Sequence, residues 1–373
     1  MTKVPQTHYF DYAATTPLDP RVLAVMNDVL RDSWYNANAT YSLAEESHAL
    51  LEQANKDVLS FLGAPISADL VWTSGATEAN NLAIKGTFFQ YKSSQLPIII
   101  SPVDHASIVE CALDLKKYHH ASIEWMSLNH DVSIHLEDLE KKLKSGALLV
   151  SVTAVHSELG YVPPLHEIRA LTKQYGALLH IDAVQALGKM AINLNAWDPD
   201  LMTLSAHKCF GPKGAGLLYI KDRNMTPIRP LLSGKGGLSP IRPGTIPLHQ
   251  ICGMAKAICL SPQWLLSLDT IVEQSKMLHH HLIELGCQYL GPSTKVPHIQ
   301  FVALSRFHGT HNELVEQFGL SRGSACLQGG LSKVLDYMTL DKASKHLAYR
   351  LCINHLTDDK AINDLLQYIQ KHS

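Results

Sequence analysis

Short apolar runs and helically spaced apolar residues alternate along the first two-thirds of this chain. The segments 69–72, 97–101, 122–126, 147–155 and 177–181 are apolar runs of strand length. Between them lie segments with apolar residues at helical spacing. Asp19 caps the first, with Pro20 at its first position, and it extends to about Leu30. A second covers 42–62 and ends at Gly63. A third follows Glu78, with Ala79, Leu82, Ala83 and Phe88 on its inner side, and others open at 103–107, 136–143 and 165–175, the last stopped by Gly176. Two further apolar runs, 201–204 and 215–220, flank the turn Gly211-Pro212-Lys213-Gly214. Strands alternating with helices predict an α/β fold with a parallel sheet covered on both faces.

The pattern changes near residue 233. Residues 233–247 are rich in Gly, Pro and Ser and read as a long loop, and a helix begins beyond Leu248. The tail has helix, strand, helix and strand signals, with 296–304 the clearest strand, and predicts a small α+β domain. We place the large domain at 15–252, and the small one at 253–373 together with 1–14. Within the tail, 320–330 is a Gly-rich loop with Cys326 at its centre.

Ligands of open parallel sheets gather at the carboxyl ends of strands. Thr77, His105, Ser157, Asp182, Gln185 and Lys208 all fall there. The segment 73–78 joins a strand to a helix through small residues, Gly75, Ala76 and Thr77, which suits an anion at a helix N-terminus. Any strand-to-helix turn needs a cap, so this motif is weak alone. Lys208 follows a buried run. Desolvation lowers a lysine's pKa and makes its amine a nucleophile able to form a Schiff base. Ser205 and His207 beside it suit a phosphate or a ring. The plain alternative is a solvated lysine in a hairpin; it must also explain why an anion loop, an imidazole, an acid and a lysine share one edge.

Composition narrows the classes. The chain has 373 residues, 46% hydrophobic, and a net charge of −2. No Lys/Arg run points to nucleic acid. The 21 histidines are scattered, and the groups His119-His120 and His279-His280-His281 lack acidic or cysteine partners, so no metal site is expected. Seven cysteines without a CxxC pair suggest reduced thiols. The first ten residues lack the apolar core of a signal peptide, and no apolar run approaches bilayer length. The expectation is a cytoplasmic protein without a membrane partner.

Several motifs in order carry a resemblance: Asp-Tyr-Ala-Ala-Thr-Thr-Pro (11–17), Thr-Ser-Gly-Ala-Thr-Glu (73–78), Asp104-His105, His-Ile-Asp-Ala-Val-Gln (180–185), Ser-Ala-His-Lys (205–208), Gly-Pro-Lys-Gly (211–214), Gly-Thr-Ile-Pro (244–247) and Gly-Ser-Ala-Cys (323–326). Together they resemble the cysteine desulfurases of the class V aminotransferase group, in the iron–sulfur-assembly (group I) form. The resemblance implies a fold type I pyridoxal-phosphate enzyme with a mostly parallel seven-stranded sheet. It implies that Lys208 carries the cofactor and moves the substrate's α-proton, that Asp182 faces the pyridine nitrogen, and that Gln185 holds the ring hydroxyl. His105 would stack on the ring and serve in proton transfer. Gly75, Ala76, Thr77, Ser205 and His207 would hold the phosphate, and Thr245 would reach the phosphate of the other subunit of a homodimer. Arg350, Asn38 and Ser157 would contact the substrate, L-cysteine. Cys326 would take its sulfur as a persulfide and pass it to a sulfur-acceptor or scaffold protein. Departures surround the substrate. Ser157 replaces Asn, Ala37-Asn38-Ala39-Thr40 replaces Gly-Asn-Pro-Ser, and Asn354-His355 replaces Gly-Arg. They leave open a selenocysteine lyase or other β-lyase, and a non-catalytic cofactor-binding scaffold.

Overall fold

The computed structural model describes residues 8–235, 239–323 and 331–373. The apolar runs become β1 (Asp69–Thr73), β2 (Ile98–Ile100), β3 (Ile123–Trp125), β4 (Leu149–Thr153), β5 (Leu178–Asp182), β6 (Leu201–Ser205) and β7 (Gly216–Ile220), in the sheet order β1-β7-β6-β5-β4-β2-β3. Strands β2 to β6 run parallel, and β7 is antiparallel to both its neighbours. The sheet is apolar on both faces, as a helix-covered sheet requires. Leu217 and Tyr219 of β7 enter one core, while Leu218 and Ile220 meet Ala79, Leu82 and Ala83 of α3 (Ala76–Gln90) on the other.

Local signals hold at the helix ends. Asp19 accepts a hydrogen bond from the Arg21 amide at the start of α1 (Pro20–Asp32). Gly63, at φ 62°, closes α2 (Glu45–Leu62) in the left-handed conformation that glycine adopts without strain. Residues 42–44, expected in that helix, form a separate 3₁₀ turn before it. The helices α4 (Ala106–His119), α5 (Leu136–Lys144), α6 (Leu165–Gln174) and α7 (Leu194–Trp197) complete the cover.

One polar chain crosses the middle strands. His180, with no exposed surface, bonds Ser151 Oγ through Nδ1 (2.8 Å) and Thr203 Oγ1 through Nε2 (3.0 Å). Burial pushes its pKa down to about 3. In the fold the ring is neutral, whereas the unfolded chain protonates it near pH 6.5. This contribution is therefore complete above pH 6.5 and is lost as the pH falls towards 3. At pH 5 it amounts to about 2 kcal/mol of lost stability. Urea unfolding at pH 7 and pH 5 should show that loss, and a smaller one for His180→Gln; an identical acid-side loss in the two proteins would refute the assignment.

A three-stranded antiparallel sheet, β8 (Gln288–Tyr289), β9 (Ile299–Ala303) and β10 (Ala348–Cys352), forms the smaller unit with α9 (Leu268–Glu284), α10 (His311–Phe318), α11 (Lys342–His346) and α12 (Asp359–Lys371). Its alternation decides where the site stands. Tyr349 and Leu351 face the small core with Phe10, Leu278 and Leu365, while Ala348 and Cys352 face the large one. By period two, Arg350 lies on the large-unit side. The boundary drawn at 252 falls inside α8 (Leu248–Leu265), which packs on α1 and α2 in the large core as far as Trp264. Its neighbour α9 is the first helix of the small core. Among the described residues no single helix is long and apolar enough to cross a membrane.

Candidate active site

The carboxyl ends of β4, β5 and β6, the start of α3 and the N-terminal segment enclose a cavity of about 510 Å³. Gly75, Ala76, Thr77, His105, Ser157, Asp182, Gln185, Ser205, His207, Lys208 and Arg350 all line it. Asn38 and Thr245 do not. Both are exposed, and the Asn38 backbone N–H donates to Asn36 Oδ1 (3.0 Å). Cys326 lies outside the described residues.

Lys208 ends a single 3₁₀ turn after β6 and donates to the carbonyls of Ala13 (2.8 Å) and Ala14 (2.6 Å). Gln185 Nε2 donates to the same Ala13 carbonyl at 2.8 Å, which leaves Gln185 Oε1 buried and unpartnered. The N-terminal segment is itself tied down, because Thr16 donates its amide to His207 O (2.9 Å) and accepts from the Phe210 amide (2.7 Å).

Asp182 closes β5 and accepts from Val184 N (3.0 Å) and from Asn80 Nδ2 (2.8 Å). Asn80 Nδ2 also reaches Ser107 Oγ at 2.9 Å, and Ser107 bonds His105 Nδ1 through both Oγ (2.8 Å) and its amide (3.1 Å). Accepting that amide proton places the ring's own proton on Nε2. Burial lowers the His105 pKa; Lys208 lowers it further, while Asp182 and Glu158 oppose this. Asp104, which is buried, is pushed well above the carboxylate range by burial and then by Asp182.

The anion loop is braced from within. Ser74 N donates to Glu78 Oε2 (2.7 Å), and Arg242 Nε donates to Glu78 Oε1 (3.0 Å). Burial pushes the Glu78 carboxyl up, but these bonds outweigh it and hold it below its usual range. The buried Ser205 hydroxyl has no partner, and burial, then the charge of Lys208, depresses the His207 pKa to about 4. His207 is thus neutral at pH 7. Arg350 Nη2 pairs with Asp11 Oδ1 (2.6 Å) and Nη1 donates to Ser157 O (2.8 Å), while Nε has no partner. Burial disfavours this guanidinium's charge, but the neighbouring acids prevail and raise its pKa. Ser321 Oγ joins the same Asp11 oxygen at 3.0 Å, so the chain enters the segment bearing Cys326 beside Arg350.

A family model for class-V aminotransferases matches residues 8–357. The mitosomal cysteine desulfurase of Trachipleistophora hominis is 33% identical over 381 residues, covering 98% of this chain and 85% of that protein. This chain belongs to the cysteine desulfurase family. Among solved structures, a NifS-like protein superposes with a TM-score of 0.89 at 28% identity, covering 97% of this chain and 98% of that one. A second, described as SspA in complex with cysteine, has a TM-score of 0.79 at 27% identity, covering 94% and 99%.

In this desulfurase-family chain, three residues that shape the site have no role assigned from the sequence. Asn80 couples Asp182 to His105, Asp11 holds Arg350, and Glu78 braces the loop. Asp11 and Glu78 stand in the motifs at 11–17 and 73–78, and Asn80 is a polar residue beside Ala79, Leu82 and Ala83 on the buried side of α3. The loop also depends on Gly216, where a Cβ would meet the Gly75 backbone at 2.4–2.7 Å. Backbone cannot move aside cheaply, so Gly216→Ala should displace the anion loop. We expect phosphate-ligand affinity to fall at least about tenfold, equivalent to 1.4 kcal/mol, with the fold retained by circular dichroism. Unchanged affinity by fluorescence titration would contradict the cradle.

Proposed function

We propose that this chain binds pyridoxal 5'-phosphate at Lys208 and converts L-cysteine to L-alanine, passing the sulfur to Cys326 for iron–sulfur or other sulfur-cofactor assembly. The observation that carries the reading is the convergence of Lys208, Asp182, His105 and Arg350 on one cavity. The residues suit the cofactor. Ser205 Oγ and Gln185 Oε1 are buried polar atoms that lack partners, and the amides at the start of α3 stand beside a neutral His207. When bound, the cofactor supplies an electron sink.

The chain's own groups do the rest. Asp182, fixed by Asn80 and Val184, would hold the pyridine nitrogen, and His105 would offer Nε2–H to the ring. Arg350 keeps Nε unpartnered for the substrate carboxylate, and its pairing with Asp11 holds the guanidinium in place. Lys208 Nζ takes the proton from the substrate Cα. The thiolate of Cys326 attacks the substrate sulfur; the Cβ–S bond breaks as the S–S bond forms, Cβ is protonated, and Lys208 returns a proton to Cα to give alanine. Thr245, exposed outside this cavity, suits contact with the cofactor phosphate of a partner subunit, and we assign the working form as a cytoplasmic homodimer.

The test is incubation with L-cysteine, measuring alanine and persulfide for wild type and Cys326→Ser. Alanine from wild type with at least about a hundredfold loss in the variant supports the reading, because the thiolate carries a covalent step. Equal alanine from both would point to a different lyase. No alanine from either, with cofactor bound, would favour another substrate or a scaffold.

A further inference from the structure

Lys208 also lines a second, smaller cavity of about 20 Å³. That is room for one water-sized particle. Most of the remaining wall is apolar, including Leu187, Phe210, Trp264 and Ile353, and no Asp or Glu contributes to it. Three of its residues are more than nine-tenths buried and each leaves a polar atom without a partner: Lys189 Nζ, His298 Nδ1 and Asn354 Nδ2. The first is an ammonium without a counter-charge. The amide of Asn354 cannot turn round, because its Oδ1 accepts from Leu356 N at 2.8 Å; the NH₂ edge is therefore the one left over. Burial, then the charge of Lys189, pushes His298 down to about 3, so its ring is neutral at pH 7 and one nitrogen carries a hydrogen.

Lys189 Nζ and Asn354 Nδ2 lack an acceptor, and Lys189 lacks a negative charge; His298 serves an anion in the tautomer that carries its hydrogen on Nδ1. A water molecule supplies two lone pairs but leaves the ammonium uncompensated, and burying an unpaired charge is costly. A single small anion answers both needs. We propose that this cavity binds one monovalent anion of chloride size, held by Lys189, Asn354 and His298. Lys208 lines both cavities, so the bound anion neutralises a positive charge near that lysine. Burial, against the opposing Cys352 and Cys209 thiols and with a smaller push from Arg350, draws Lys189 down to about 8; the anion favours its charged form, so the two are taken up together.

The site is testable whatever the larger cavity binds. In crystals soaked in bromide, an anomalous peak is expected between Lys189 and Asn354, and it should vanish in Lys189→Met, which keeps the apolar stem and removes the charge. In solution, unfolding is compared in sodium chloride and sodium gluconate at equal ionic strength. Above saturation, a tenfold rise in chloride should raise the wild-type folding constant up to tenfold. Lys189→Met should show no such response. Asn354→Asp keeps the acceptor for Leu356 and places a carboxylate in the cavity, so it should be as stable in gluconate as wild type is in chloride. A water in place of the bromide peak would overturn the proposal. Equal wild-type stability in the two salts, or a full chloride response in Asn354→Asp, would also overturn it.

Discussion

Lys208→Ala should lower alanine formation from L-cysteine by at least about 10³-fold, within the range by which positioned proton-transfer groups accelerate reactions, with the covalent attachment of cofactor lost as well. No neighbouring group can substitute. His105 and His207 both have lowered pKa values and are committed, His105 through Nδ1 to Ser107 and His207 through Nδ1 to Thr15 at 3.2 Å. The fold should survive. The variant loses two hydrogen bonds to the Ala13 and Ala14 carbonyls, and Ala13 keeps its bond from Gln185. At about 1 kcal/mol each, such losses are modest. Absorbance of the purified proteins and an alanine assay make the comparison. Activity within tenfold of wild type would remove Lys208 from its assigned role.

Arg350→Met should strike twice. It takes away the guanidinium proposed for the substrate carboxylate, and it strands Asp11, whose carboxylate is paired at 2.6 Å with a residue only 1% exposed. Breaking a buried pair from one side costs about 3–5 kcal/mol. The binding loss should appear chiefly in KM, by about two orders of magnitude, as expected for a charged hydrogen bond worth up to about 3 kcal/mol. The two effects separate in the double variant Asp11→Asn/Arg350→Met. Stability should return there, since no lone charge remains, while KM should stay high. Recovery of KM along with stability would mean that Arg350 acts only through the fold.

Strands and helices of the large unit were legible because each needs only a local pattern: apolar runs for the central strands, Asp19 and Gly63 for helix ends. Eleven of the predicted site residues meet in one cavity because strand ends converge by topology, and that topology follows from strand–helix alternation. What stayed hidden depends on long-range geometry. The reversed direction of β7 rests on its pairing with β1. Helix α8 crosses the expected boundary because its apolar face is claimed by α1 and α2, which lie far away in sequence. Asp11 is invisible as a partner until β10 is seen to present Arg350 to the large unit. Asn38 and Thr245 were placed by motif alone, and a motif carries no information about which way an exposed loop turns.

The close approach of Gly75 and Gly216 also sets a timetable for assembly. One side of the anion cradle is made early in synthesis and the other only after β7 has left the ribosome. No shorter nascent chain holds both walls. Bringing together partners so distant in sequence is paid in loop-closure entropy before any contact rewards it, which makes such pairings late events in folding. An intermediate in which β2 to β6 have assembled would own Asp182, His105 and Lys208 yet have no seat for a phosphate. Ligand capture in this chain therefore reports that β7, the last strand of the large sheet, has closed, and a refolding experiment followed by ligand fluorescence would time that closure directly.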